Sequence, residues 1–154
     1  MKAISLILVF TLLQACIATN KHSLRTESGR PEVLISKGSM TDIHDVIINE
    51  VLKTGAIIDT DRNSNIVISL PMDAARAAGQ EFASRIMTGQ KGYVYSDVIS
   101  FSLISVSNGT RIIARLYTKK QSPSGQISIN EEEDAKMDND MQGLLNKLKL
   151  HFGA

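Results

Sequence analysis

The stretch VISFSLISVSNGTRIIARLYTK, residues 98–119, holds two alternating apolar runs joined at Asn108-Gly109. Asn-Gly is the preferred pair for a type I′ turn, because both residues tolerate positive φ. A two-residue turn there pairs Leu103 with Ala114 and Phe101 with Leu116. Ile99, Phe101 and Leu103 then share a face with Ile112, Ala114 and Leu116, while Arg111, Arg115, Tyr117 and Lys119 fall on the opposite face. Register and hydrophobic alternation agree, as a true hairpin requires. This hairpin is expected to be the centre of the fold.

Upstream, RPEVLIS (30–36) puts Val33 and Ile35 on one face with Glu32 and Leu34 on the other, and Pro31 suits a strand's first residue. Ser39 or Thr41 is placed to cap a helix to about Thr54. Ile43, Val46, Ile47, Val51 and Thr54 keep helical spacing there, and Gly55 supplies a stop. AIID and NIVISLP read as strands around the polar turn TDRNS, the second ending at Pro71. Ala74 to Met87 carries a helical stripe of Ala75, Ala78, Phe82 and Ile86, interrupted by Gly79.

The chain closes with a helix expected to be capped near Asn130, with Glu133 at the capping-box position. Met137, Met141, Leu144, Leu145, Leu148 and Phe152 form its apolar stripe. Acids at its start, and Lys147, Lys149 and His151 at its end, suit the helix dipole. The order β-α-β-β-(α)-β-β-α predicts an α+β domain. About five strands form a curved antiparallel sheet packed on two helices, because neither helix can bury its stripe alone. In shape this resembles the TATA-box-binding-protein-like arrangement, a likeness that implies no DNA binding.

The start of the chain carries an address. Lys2 precedes an apolar run from Ala3 to Leu13 that only Ser5 and Thr11 break. That is an export signal, too short for a bilayer core, which takes about 20 apolar residues. It ends in Leu13-Gln14-Ala15-Cys16, which resembles a bacterial lipobox and implies cleavage before a lipidated Cys16. Cys16 is the single cysteine of the chain, so no intramolecular disulfide is possible. Two other readings compete: ordinary cleavage after Ala18, releasing a soluble protein, and a buried free thiol. Ile17, rather than aspartate, follows the cysteine; by the same resemblance the periplasm-facing leaflet of the outer membrane is the expected site. The acyl chains would anchor the chain firmly, at about 0.8 kcal/mol per buried CH₂.

The domain plan is therefore a signal over 1–15, a flexible tether over 16–30 and one α+β domain over 31–154. Residues 17–30 are mostly polar and aperiodic, and as a flexible chain would reach about 20 Å. The whole chain has 17 basic and 16 acidic residues, and the signal removes only Lys2. This balance, with few aromatics, argues against nucleic acid as a partner. NEEEDAKMDND (130–140) concentrates six carboxylates against one lysine, and reads as a solvated helix start rather than an ion site.

SGRPEVLIS, a helix ending NEVLKTGAII, a strand ending at proline and the late NGTRIIARLY hairpin together resemble a group of small uncharacterised proteobacterial envelope lipoproteins. The likeness covers about residues 28–120. It implies an envelope location and the fold, and no reaction.

Motifs for chemistry fail on their details. DTDRNSN imitates a calcium loop at Asp59, Asp61 and Asn63, but the sixth position is Ser64, not glycine, and the twelfth is Leu70, not glutamate. His22, His44 and His151 are far apart and read as surface residues. No serine lies in a G-x-S-x-G elbow, no pair of carboxylates stands out for sugar hydrolysis, and Met137 with Met141 reads as core. No metal or cofactor is expected.

The expected function is a non-catalytic binding or assembly module, tethered to the membrane through Cys16 and facing the periplasm. Arg111, Arg115, Tyr117 and Lys119, with Val106, Ile104, Ser102 and Ser100 across the turn, read first as a solvated sheet face, since antiparallel sheets often leave one side wet, and second as the candidate surface for an envelope protein partner. A carrier of a small ligand or lipid, using a cavity between the sheet and the C-terminal helix, is the first alternative. A peptidoglycan-acting enzyme is the second.

Overall fold

The computed structural model describes residues 24–89, 91–132 and 134–153. Cys16, the signal, His22, Glu133 and most of the expected tether lie outside the described residues. The elements run β1 (Glu32–Ile35), α1 (Met40–Lys53), β2 (Ile57–Arg62), β3 (Asn65–Pro71), α2 (Ala74–Thr88), β4 (Val94–Val106), β5 (Gly109–Gln121), β6 (Ile127–Glu131) and α3 (Ala135–His151). The fold is α+β, an antiparallel sheet packed on helices, as the patterning predicts.

The β4–β5 hairpin is the spine of the sheet, whose order is β1-β5-β4-β3-β2. Its register differs from expectation by two residues. Phe101 pairs with Ala114 and Leu103 with Ile112, so Ser107-Asn108 forms the turn and Gly109 already belongs to β5. Neither Ser107 nor Asn108 has positive φ, which a type I′ turn would require. A shift of two preserves every side chain's face, so the expected inner row survives. Ile99, Phe101, Leu103, Ile112, Ala114 and Leu116 are all buried. The partners on the other face change: Arg111 lies opposite Ile104, Arg115 opposite Ser100, Tyr117 opposite Val98 and Lys119 opposite Ser96.

The sheet has six strands where about five are expected. β5 is long enough for its outer edge to take two short strands, β1 at Thr110–Ile113 and β6 at Tyr117–Gln121. Between them the Ala114 N–H donates to the Pro31 carbonyl, and the Glu132 N–H donates to the Leu116 carbonyl. Asn130 therefore sits in β6 rather than capping a helix. The cap of α3 is Asp134, whose carboxylate accepts from the N–H groups of Lys136 and Met137. Isoleucines at 127 and 129, in alternation with Ser128 and Asn130, carry the strand pattern that the acidic run obscured.

α1 begins at a capping box. The Asp42 N–H donates to Ser39 Oγ at 3.1 Å, and the Ser39 N–H to Asp42 Oδ2 at 3.0 Å. Ser39 Oγ–H also donates to that carboxylate, and these bonds hold the Asp42 carboxyl below its ordinary value. Ile43, Ile47 and Val51 recur every fourth residue and bury on the sheet. α3 covers the same face with Leu145 and Leu148. It also closes the outer edge of β1: the Gln142 side chain accepts from the Glu32 N–H and donates to the Glu32 carbonyl, both at 2.9 Å. A side-chain amide thus satisfies backbone groups that an edge strand leaves open.

α2 is the third helix, and it lies the other way round from its sequence pattern. Phe82, Ile86 and Met87 are exposed, as are Ala75 and Ala78, while Arg76, Gln80 and Ser84 face the sheet. The polar side has partners there. Arg76 holds Asp97 through both carboxylate oxygens at 2.9 Å and also bridges to Glu132. Tyr95 Oη–H donates to the Gln80 carbonyl, and Lys120 Nζ to Ser84 Oγ. Turning the helix over would leave Asp97, only 8% exposed, as a buried carboxylate without a counter-ion.

Candidate functional site

Because α1 and α3 lie on one face of the sheet without closing against each other, an open apolar cleft of about 380 Å³ remains between them. One wall is α1, with Val46, Ile47 and Val51; the other is α3, with Met141, Leu144, Leu145 and Leu148; Ile68, Leu70, Ile99 and Phe101 form the floor. The walls follow from spacing. On α1 the 43-47-51 row seats on the sheet, so the adjacent row of Val46, Glu50 and Thr54 turns toward α3. On α3, Leu145 and Leu148 seat on the sheet, and Leu144 is left 45% exposed at the lip. The volume falls at the small end of the range of ligand sites, about 300–1,000 Å³.

Polar groups occur only at the mouth: Glu50, Thr54, Lys147 and His151. Thr54 Oγ–H donates to the Val51 carbonyl of its own helix, and Glu50 is paired with Lys53 at 2.5 Å. The His151 ring stands edge-on to Phe152, with centroids 5.2 Å apart. The cavity between the sheet and the C-terminal helix was legible as an alternative in the sequence. The contribution of α1 was not, and Lys147 with His151 read only as complements to a helix dipole. The one available signal was the width of the α3 stripe, where Leu144 and Leu145 together exceed a single line of contact.

The residues singled out from the hairpin share one face of β5, away from the helices. Arg111 is not free there. It binds Glu32 at 3.0 Å and Glu27 at 3.1 Å. Burial pushes the Glu32 carboxyl up, but hydrogen bonds from Ser28 and Arg111 outweigh it and hold the group below its ordinary value. The same Glu32 bond raises the Arg111 guanidinium. Arg115 is exposed, and Tyr117 and Lys119 are half-buried. Thr26 Oγ–H donates to the Arg30 carbonyl, and Arg30 pairs with Glu131. The last residues of the expected tether are thus fastened to the body.

Three other clusters have structural partners. His44 is buried, contrary to its reading as a surface residue, because α1 carries it against β2. Its Nε2 lies 2.7 Å from Asp61 and its Nδ1 3.1 Å from Asp45, which leaves no ring nitrogen for a serine nucleophile. Asp59 accepts from Ser69 Oγ on β3 while Asp61 lies against His44 on α1, so the acids of the imitation calcium loop serve different neighbours. At Arg76, burial raises the Asp97 carboxyl above its ordinary value despite the attraction of the guanidinium, and Glu132 and Asp134 add to the rise. The Arg76 side chain fills the space between Asp97 and Glu132, so this pair of carboxylates staples α2 to β4 rather than opening onto a cleft.

Fold and cleft together define an α+β domain with helices on one face and an open apolar trough between two of them. The chain matches no protein-family model, no curated protein and no solved structure.

Proposed function

We propose that this chain is a non-catalytic binding module of the bacterial envelope, tethered to the membrane by lipid on Cys16, and that its binding element is the cleft between α1 and α3. The cleft carries the reading: apolar walls and floor, a few polar groups confined to the mouth, and a ligand-sized volume. It favours the carrier form of the function over a protein-docking patch on β5, where Arg111 is already committed to two glutamates. No helix among the described residues is long and apolar enough to cross a membrane; in this reading the hold on the membrane is the lipid.

Solvent extraction and mass spectrometry of the full chain, purified from cells, should release an apolar small molecule at near one per chain. Val46→Trp, which fills the cleft from α1, should release none. If the wild type releases nothing and gives no fluorescence gain with N-phenyl-naphthylamine, the cleft is not a binding site.

A further inference from the structure

We infer that the occupant of the cleft is the tail of a single-chain amphiphile whose anionic head group is held at the mouth by Lys147 and His151. This rests on the reading of the cleft as the binding site and adds the chemistry of what fills it. The α3 wall extends from Met141 to His151, about 15 Å at 1.5 Å per residue. The cavity is therefore a trough, which suits an extended hydrocarbon chain better than a fused-ring body. Its walls offer no hydrogen-bond partner, so a polar head group would be penalised anywhere but the mouth.

At the mouth the charges decide the sign of that head group. Glu50 is neutralised by Lys53, and the Thr54 hydroxyl is spent on its own helix. Lys147 and His151 stand one turn apart on the same side of α3, both exposed, and neither has an ion-pair partner among the described residues. A carboxylate or phosphate placed there accepts from Lys147 Nζ and from a His151 ring N–H. A cationic head group would meet Lys147, and the one carboxylate among the described residues that line the cleft, Glu50, is already paired with Lys53.

Isothermal titration of the full chain with dodecanoate, dodecyl phosphate and dodecyltrimethylammonium, each below its micelle concentration, tests this. Both anionic compounds should bind at least about tenfold more tightly than the cationic one, the scale of one charge-assisted hydrogen bond. Lys147→Gln with His151→Gln should erase that preference while the chain still unfolds in one cooperative thermal transition, lowered by no more than the few degrees that the lost helix-dipole charges account for. Val46→Trp, or Leu144→Glu at the half-exposed lip, should abolish binding of all three. Equal wild-type affinities, or a preference that survives the double substitution, overturn the head-group assignment and leave the cleft reading standing. If none of the three binds, or both cleft variants bind as well as wild type, the cleft reading falls and takes this inference with it. If the chain is a dimer that Val46→Trp converts to a monomer, the occupant is a second copy, and the amphiphile is excluded.

Discussion

Gly109 lies against the backbone of Ile35 so closely that no side chain fits between them. A β-carbon on Gly109 would overlap the Ile35 carbonyl oxygen and come within 2.9 Å of Ser36 Cα. The glycine also has φ of +143°, where L-residues are strained. Its role is thus to let β1 approach the start of β5, while the turn itself is made by Ser107 and Asn108.

Gly109→Ala should therefore destabilise the domain by at least about 1–3 kcal/mol, through overpacking against a strand that cannot retreat. Asn108→Ala, on an exposed residue without positive φ, should stay within about 0.5 kcal/mol of wild type. Urea midpoints of the two variants measure the difference. The reverse ranking would restore the Asn-Gly turn.

Two phenylalanines separate the inner face of the sheet from the outer face of α2. Phe101 is 2% exposed and Phe82 66% exposed. Phe101→Ala should cost about 3–5 kcal/mol, and Phe82→Ala under about 1 kcal/mol. A large loss at Phe82 would mean that α2 buries the stripe its sequence suggests.

Asp97 should give the stability an unusual pH dependence. Its carboxyl is raised in the folded chain, first by burial, so folding favours its protonated form. Between its ordinary value of 3.8 and the raised folded value, the folded state binds more protons than the unfolded state. Stability from this group therefore rises as pH falls through that window and is lost as pH climbs out of it. Glu32, held low, works in the opposite sense: its contribution is present above its ordinary value of 4.5 and lost as pH falls through the folded value. Wild type should consequently gain stability relative to Asp97→Asn as the solution is acidified from neutrality. Urea midpoints that diverge in the other direction, or not at all, would show that Arg76 fully compensates the burial.

Cys16→Ser should abolish incorporation of labelled palmitate and move the chain out of the membrane fraction. Retention of both label and membrane association in that variant would place the anchor elsewhere.

Local alternation and spacing carried most of what could be read from the residues. Phe101, Leu103, Ile112 and Ala114 were assignable to the inner face even with the register two residues out, because a shift of two moves no side chain across a pleated sheet. Ser39, one of the two offered caps, the 43-47-51 row and the existence of a β2–β3 hairpin were legible for the same reason: each depends on neighbours within about one turn of chain. The hairpin's turn is tighter than the expected 60–64, because β2 runs on through Arg62 and only Asn63 and Ser64 lie between the strands. The remainder came from contacts between elements far apart in the chain. Which side of α2 turns inward depended on Asp97, Tyr95 and Lys120, none of them in the helix itself. That the NEEED run would start with a strand depended on the free outer edge of β5 at residues 117–121. The cleft is the clearest case, since its width is the distance α1 and α3 keep from each other on the sheet. Each helix's periodicity names the residues that face inward, and only their joint placement determines how much of Ile68, Leu70 and Phe101 is left uncovered between them.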